Sequence, residues 1–130
     1  MIILDASVLI GHFEPANSHH AKATALLKAQ LTDTFASSVV TLAQVYVGAF
    51  RAGKAARLDQ LLAQLAIRSL ELPADAADRL GELRATTGLK MPDCCVLYAA
   101  VRHNAAIATF DDALAKRAKN IGLTVAAAAG

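Results

Sequence analysis

The sequence has few residues of the kinds that mark disulfide-rich or zinc-binding proteins. Its 130 residues include no Trp, two Tyr, four Phe, three Pro and two Cys. The cysteines, Cys94 and Cys95, are adjacent, so they lack the spacing of a C-x-x-C zinc half-site or of a disulfide framework. We expect both to be reduced thiols within a helix.

The chain also has little excess of positive over negative charge. Thirteen Lys and Arg against eleven Asp and Glu give a net charge of +2, too small to indicate nucleic-acid binding by bulk electrostatics. No apolar run approaches the ~18 residues of a membrane helix, and the first residues do not resemble a signal peptide. We expect a soluble, cytoplasmic protein that does not bind membranes.

Apolar residues, by contrast, are abundant. They make up 55% of the chain, against roughly 45–50% in a typical soluble domain, and the mean hydropathy is +0.40. The length predicts a single domain over residues 1–130. The apolar excess in 40–50 and 58–65 suits helices that pack against a second subunit or another protein, although a core explains many of these residues equally well.

Short apolar runs alternate with helical patterns along the chain. Buried strands are predicted at 1–4, 34–37, 67–72, 105–109 and 123–126, with helices between them. The helix from Pro92 to about Arg102 is nearly all apolar and should run through the middle of the domain. This alternation predicts an α/β domain with three layers and a mostly parallel central sheet.

Three aspartates hold matching positions in this pattern. Asp5 and Asp111 each follow an apolar strand and open a helix, and Asp93 heads the central apolar helix. Because strand-to-helix junctions of a parallel sheet collect along one edge, we expect the three acids to meet there. Clustered carboxylates repel one another unless protons or a cation compensate, and hard oxygen ligands suit Mg²⁺ or Mn²⁺.

A structural interpretation of the same acids stays open. Asp is a favoured helix cap, contributing about 1 kcal/mol, and all three acids sit where caps belong. Ser7 and Thr109 have the same ambiguity, because either could orient an acid or a bound water, or could simply cap and pack.

The helix predicted at 38–52 carries one polar stripe. Val40, Ala43, Val47 and Phe50 share an apolar face, and Leu42, Val45, Tyr46 and Ala49 widen it. The remaining stripe is Thr41, Gln44, Gly48 and Arg51. Its position suggests that Gln44 faces the acidic site.

Four segments together carry a family resemblance. They are Asp5–Ile10 after Met1–Leu4, Thr41–Val45, Met91–Asp93 and Ala108–Asp111. In this order they resemble the successive motifs of PIN-domain proteins, and most closely those of the VapC-type toxins of bacterial VapBC toxin–antitoxin pairs. The resemblance covers essentially the whole chain, and the ensemble is specific although no single segment is.

The resemblance implies a Mg²⁺- or Mn²⁺-dependent endoribonuclease that is usually dimeric and is inhibited by a cognate VapB-type antitoxin. Asp5, Asp93 and Asp111 would be the metal-binding, catalytic acids, and Asp112 a substitute or supporting partner. A metal-activated water would cleave structured RNA, such as transfer or ribosomal RNA, to a 5′-phosphate and a 3′-hydroxyl.

Gln44 departs from the family pattern, which usually has Glu at this position of the catalytic set. The amide keeps an oxygen acceptor but removes a charge and any general-base capacity. The change is a tolerated natural one, an engineered one that lets a toxic protein be produced, or the mark of an inactive domain that binds RNA or protein. We expect reduced rather than abolished activity.

Two groups of basic residues could flank the site. Arg51, Lys54 and Arg57 lie at a helix end and the following turn, and Lys116, Arg117 and Lys119 lie in the helix after Asp111. They suit binding of an RNA backbone, or they form an ordinary solvated face.

Two other classes of protein also place an Asp after a parallel strand. An aspartate-nucleophile phosphatase is disfavoured because Ser7 stands where that class expects a second Asp. A receiver domain is disfavoured because the paired acids expected near its N-terminus are missing.

Overall fold

The computed structural model describes residues 1–126, so residues 127–130 lie outside it. The strands are β1 (Ile2–Leu4), β2 (Phe35–Ser38), β3 (Arg68–Leu70), β4 (Ala106–Ala108) and β5 (Val125–Ala126). The helices are α1 (Ala6–Phe13), α2 (His20–Ala29), α3 (Val39–Arg51), α4 (Ala55–Gln64), α5 (Ala76–Thr87), α6 (Met91–His103) and α7 (Asp112–Asn120). In this part of the chain no helix has both the length and the apolar character needed to cross a membrane.

The five strands form one sheet in the order β3-β2-β1-β4-β5, and every neighbouring pair is parallel. The chain builds outward from β1 to β3 and then crosses to β4 on the other side of β1. The carboxyl ends of β1 and β4 therefore flank the topological switch point, where open α/β sheets bind ligands.

Alternate residues of the strands face opposite sides of the sheet and build two cores. Ile3 and Ile107 belong to a core that includes the buried residues of α6. Ile2 and Leu4 belong to a second core that includes buried residues of α1 and α2. The domain has helices on both faces of a parallel sheet, so the predicted three-layer α/β class is confirmed.

Helix α6 runs through the interior, as its composition predicts. All residues from Cys94 to Ala100 are buried. Both cysteines are free, and burial raises the pKa of each thiol. Because the thiolate is the reactive form, these side chains act as packing groups.

Helix α3 is buried through a different face from the one that the apolar pattern indicates. Phe50 is 70% exposed and Val47 is 48% exposed, whereas the buried residues are Thr41, Val45 and Ala49. Apolar side chains surround most of this helix, so periodicity alone does not identify its buried side. The polar stripe is exposed at Gln44, Gly48 and Arg51, but Thr41 at its start lies in the protein interior.

Helix α5 begins at Ala76, three residues after Pro73. The carbonyl of Pro73 accepts the Ala76 N–H over 3.0 Å, which makes a turn ahead of the helix. The helix ends before Gly88, whose φ of +72° is the left-handed conformation that glycine adopts with little strain.

Substituting Thr41 by Val should stabilise the protein. Among the described residues, Thr41 Oγ1 is buried without a hydrogen-bond partner, so a methyl group of similar size avoids the desolvation of a hydroxyl. We expect the free energy of unfolding to rise by about 1 kcal/mol in chemical denaturation. A fall of similar size would show that the hydroxyl has a partner in solution.

Candidate acidic site

Asp5 lies directly after β1, at the switch point. It is only 6% exposed, and its backbone N–H donates to the Ala108 carbonyl over 3.0 Å, which extends the contact between β1 and β4. Its Oδ2 accepts hydrogen bonds from Ser7 Oγ at 2.8 Å and from Thr109 Oγ1 at 2.7 Å. These two donors compensate the burial of the carboxylate.

The same two hydroxyls fix the segment after β4. Ser7 Oγ accepts the Phe110 N–H and Thr109 Oγ1 accepts the Asp111 N–H, each over 3.0 Å. Each hydroxyl thus donates to Asp5 and accepts from the backbone that leads to Asp111. Of the two roles that the sequence left open for Ser7 and Thr109, the structure shows contact with an acid: both hydroxyls donate to Asp5.

Asp111 is the N-cap of α7. Its Oδ1 accepts the Leu114 N–H over 3.0 Å. Asp112 follows as the first residue of the helix and is exposed. The capping role left open for the three acids is thus realised at Asp111, through one of its two carboxylate oxygens.

Asp93 lies in the first turn of α6 and is half-buried. Burial raises the pKa of its carboxyl, the negative charges of Asp5 and Asp111 raise this pKa further, and Lys90 lowers it. The fold therefore brings Asp93 within electrostatic reach of both Asp5 and Asp111. Neither Asp5 nor Asp93 caps a helix with its side chain.

Two side-chain hydrogen bonds fix the turn that precedes α6, the helix that carries Asp93. Arg84 Nη1 donates to the Leu89 carbonyl over 2.5 Å, and Thr87 Oγ1 accepts the Leu89 N–H over 3.2 Å. The sequence pattern revealed neither the role of Arg84 in this turn nor the effect of Lys90 on the pKa of the Asp93 carboxyl.

The donor set fits a hard divalent cation. The hydrogen bonds to Asp5 use Oδ2 and the one to Asp111 uses Oδ1, which leaves the second oxygen of each for a ligand. Within residues 1–126 no three His, Cys, Asp or Glu side chains are already spaced around a common ion. The acids thus form an open arrangement that a cation would have to draw together.

Gln44 lies in the second turn of α3, and its side chain is exposed. Helix α3 begins directly after β2, where Ser38 Oγ accepts the Val40 N–H over 3.3 Å. Because β2 is parallel to β1, this helix starts at the sheet edge that also carries Asp5.

Two of the six predicted RNA-binding residues already have partners in the chain. Lys54 Nζ lies 3.6 Å from Glu14 Oε2, and the Arg57 guanidinium lies 5.4 Å from the centre of the Phe13 ring. The other four, Arg51, Lys116, Arg117 and Lys119, are exposed.

Comparison with known proteins identifies relatives of this fold. The family model described as PIN domain matches residues 2–120. A search of curated protein sequences gave no match.

Solved structures of similar fold come from several bacteria. The sarcin-ricin loop cleaving toxin VapC20 of Mycobacterium tuberculosis has a TM-score of 0.78 at 14% identity, covering 90% of this chain and 95% of that one. A toxin–antitoxin complex from Klebsiella pneumoniae has a TM-score of 0.71 at 27% identity, covering 85% and 87%. VapBC2 from Rickettsia felis, bound to a promoter DNA fragment, has a TM-score of 0.70 at 20% identity, covering 96% and 97%.

Replacing Thr109 by Val should destabilise the domain, because it removes the donor to Asp5 and the acceptor for the Asp111 N–H. Hydrogen bonds to a buried charged group are worth about 1.5–3 kcal/mol, and we expect a loss of about 2 kcal/mol in the free energy of unfolding. Thr32→Val, at an exposed position, serves as the matched control. An equal effect of the two substitutions would contradict this role of Thr109.

Without divalent cations, Asp93→Asn should stabilise the protein at neutral pH. A carboxyl whose pKa is raised by folding binds its proton more tightly in the folded state, so its contribution to stability falls as the pH rises through that pKa. We expect urea denaturation in EDTA to show a gain at pH 7 that shrinks toward about pH 4. A gain of the same size at both pH values would refute this explanation; Glu71→Gln, an exposed carboxylate elsewhere, is the control.

Proposed function

Because the chain belongs to the PIN-domain family, we propose that it is a Mg²⁺- or Mn²⁺-dependent endoribonuclease of the VapC toxin type. The observation that carries this proposal is the grouping of three acids: Asp93 feels the charges of Asp5 and Asp111, and Ser7 and Thr109 link Asp5 to the segment that leads to Asp111. Carboxylates that repel one another are expected where a cation binds.

Asp5, Asp93 and Asp111 would hold the cation, each through an oxygen that the described hydrogen bonds leave unused. When bound, such an ion activates a water for attack on a phosphodiester and stabilises the leaving oxygen. Ser7 and Thr109 keep Asp5 oriented, because both donate to the same oxygen of its carboxylate.

Gln44 would orient a water or the hydrated ion from the exposed side of α3. An amide can accept and donate hydrogen bonds but cannot take up a proton at neutral pH. Losing one of four acids should weaken a second cation site more than the first. We therefore propose reduced activity, with Asp112 as a nearby carboxylate that could assist.

Structured RNA, such as transfer or ribosomal RNA, is the proposed substrate. VapC20, similar in fold, is a sarcin-ricin loop cleaving toxin, and exposed cations on α7 and at the end of α3 could contact an RNA backbone. The free buried cysteines suit the cytoplasm, where we place the activity.

A VapB-type antitoxin and a second copy of the chain are the proposed protein partners. One similar structure is a toxin–antitoxin complex. On α3, Val39, Val47 and Phe50 are 43%, 48% and 70% exposed, and Gly48 beside them lets another helix approach closely. We assign this face, named here the α3 apolar face, to the homodimer.

The second candidate is a weak or inactive PIN domain that acts as a binding module. The amide at Gln44 favours it, since the family usually has a carboxylate there. Both candidates use the same surfaces, and only cleavage separates them.

Purified protein should cut bacterial RNA into discrete fragments when Mn²⁺ or Mg²⁺ is present and should not cut in EDTA. Asp93→Asn should abolish cleavage because it removes a charged ligand, and Gln44→Glu should increase the rate several-fold by restoring a fourth acid. Gel analysis of total RNA measures both effects.

If the wild-type chain does not cleave RNA but Gln44→Glu does, the fold is a nuclease disabled by one substitution. If neither protein cleaves RNA, the result supports the binding module. Cleavage that survives Asp93→Asn would place the activity elsewhere.

Phe50→Glu should convert a dimer into a monomer in sedimentation experiments, because a buried charge on the α3 apolar face opposes association. Leu31→Glu is the matched control, since Leu31 is 63% exposed outside that face and should leave the dimer intact. A dimer that tolerates Phe50→Glu would assign the face to another partner.

A further inference from the structure

The backbone of Phe110 lies between two residues of the acidic site. Phe110 follows Thr109 and precedes Asp111, and its backbone N–H donates to Ser7 Oγ over 3.0 Å. The network that holds Asp5 therefore also fixes the Phe110 backbone. The side chain is half-buried and packs against the core on the α1 side of the sheet.

The imidazole of His19 stacks on this ring. The two ring centres are 4.7 Å apart and the planes differ by 18°. The His19 N–H donates to Asn17 Oδ1 and its carbonyl accepts the Ala23 N–H, each over 2.8 Å. These bonds hold the imidazole at the start of α2, so the two rings form a half-exposed unit, named here the His19–Phe110 pair.

His19 differs from the two other histidines of this region. His12 Nδ1 lies 2.9 Å from Thr24 Oγ1, and His20 Nδ1 lies 2.9 Å from the Gly11 carbonyl. Within residues 1–126 neither ring nitrogen of His19 has a hydrogen-bond partner. Its imidazole is therefore used for stacking and keeps both nitrogens for a ligand.

We infer that the His19–Phe110 pair is a stacking platform for an unpaired RNA base next to the phosphate to be cut. The inference rests on the proposed ribonuclease function. Proteins that read RNA stack unpaired bases on aromatic rings, and a free imidazole nitrogen can bond to a base edge. Bases within a duplex are stacked on their neighbours, so the platform would favour loops and single strands.

Binding of a short single-stranded RNA that carries one 2-aminopurine tests this inference directly. The whole protein is used in EDTA, so that no strand is cut, and both affinity and 2-aminopurine quenching are recorded. Phe110→Leu keeps the apolar packing but removes the aromatic face, and His19→Ala removes the outer ring. We expect each to weaken binding on the order of tenfold and to reduce the quenching.

Two further variants separate stacking from a general loss of structure. His19→Phe should keep the affinity and quenching near the wild-type values, because it restores an aromatic face. His103→Ala removes an exposed histidine at the end of α6 and should change neither. An RNA with an abasic site in place of the 2-aminopurine should bind the wild type and Phe110→Leu equally.

The outcomes distinguish this inference from the proposed function. Wild-type affinity and quenching in both Phe110→Leu and His19→Ala would overturn the platform, even if the protein cleaves RNA. Quenching that both substitutions remove would support the platform, even if the protein cuts no RNA with any metal and the nuclease proposal fails.

Discussion

Repulsion among the carboxylates of Asp5, Asp93 and Asp111 is the constraint on which the proposed chemistry depends. Burial, and then the charges of Asp5 and Asp111, raise the pKa of the Asp93 carboxyl. Each neighbour is stabilised separately, Asp5 by two hydroxyls and Asp111 by a backbone N–H. A divalent cation bound between the acids would attract all three carboxylates and so offset their repulsion.

The parallel sheet makes this arrangement possible from residues far apart in sequence. Thr109 reaches Asp5 across 104 positions, because β1 and β4 are neighbours although two strands and six helices separate them in the chain. Ser7 and Thr109 each donate to the carboxylate and accept from the segment leading to Asp111. A small hydrogen-bond network thus couples the stability of the central sheet to the geometry of the site.

Much of this architecture could be predicted because its signals are local. Short apolar runs mark the strands, and the aspartates that follow β1 and β4 mark one edge of a parallel sheet. The side chain of Thr41 could not be placed in the same way, because α3 is apolar on several sides and only its neighbours decide which side is buried. The stacking of His19 on Phe110 could not be predicted either, because the two residues are 91 positions apart and no sequence motif connects them.

Titration calorimetry of Mn²⁺ into metal-free protein tests most directly whether Asp5, Asp93 and Asp111 bind one divalent cation together. We predict saturable binding to the wild type that is weakened strongly by either Asp93→Asn or Asp111→Asn, because each removes a charged ligand from the same ion. Binding that both variants retain at wild-type affinity would contradict a shared cation site.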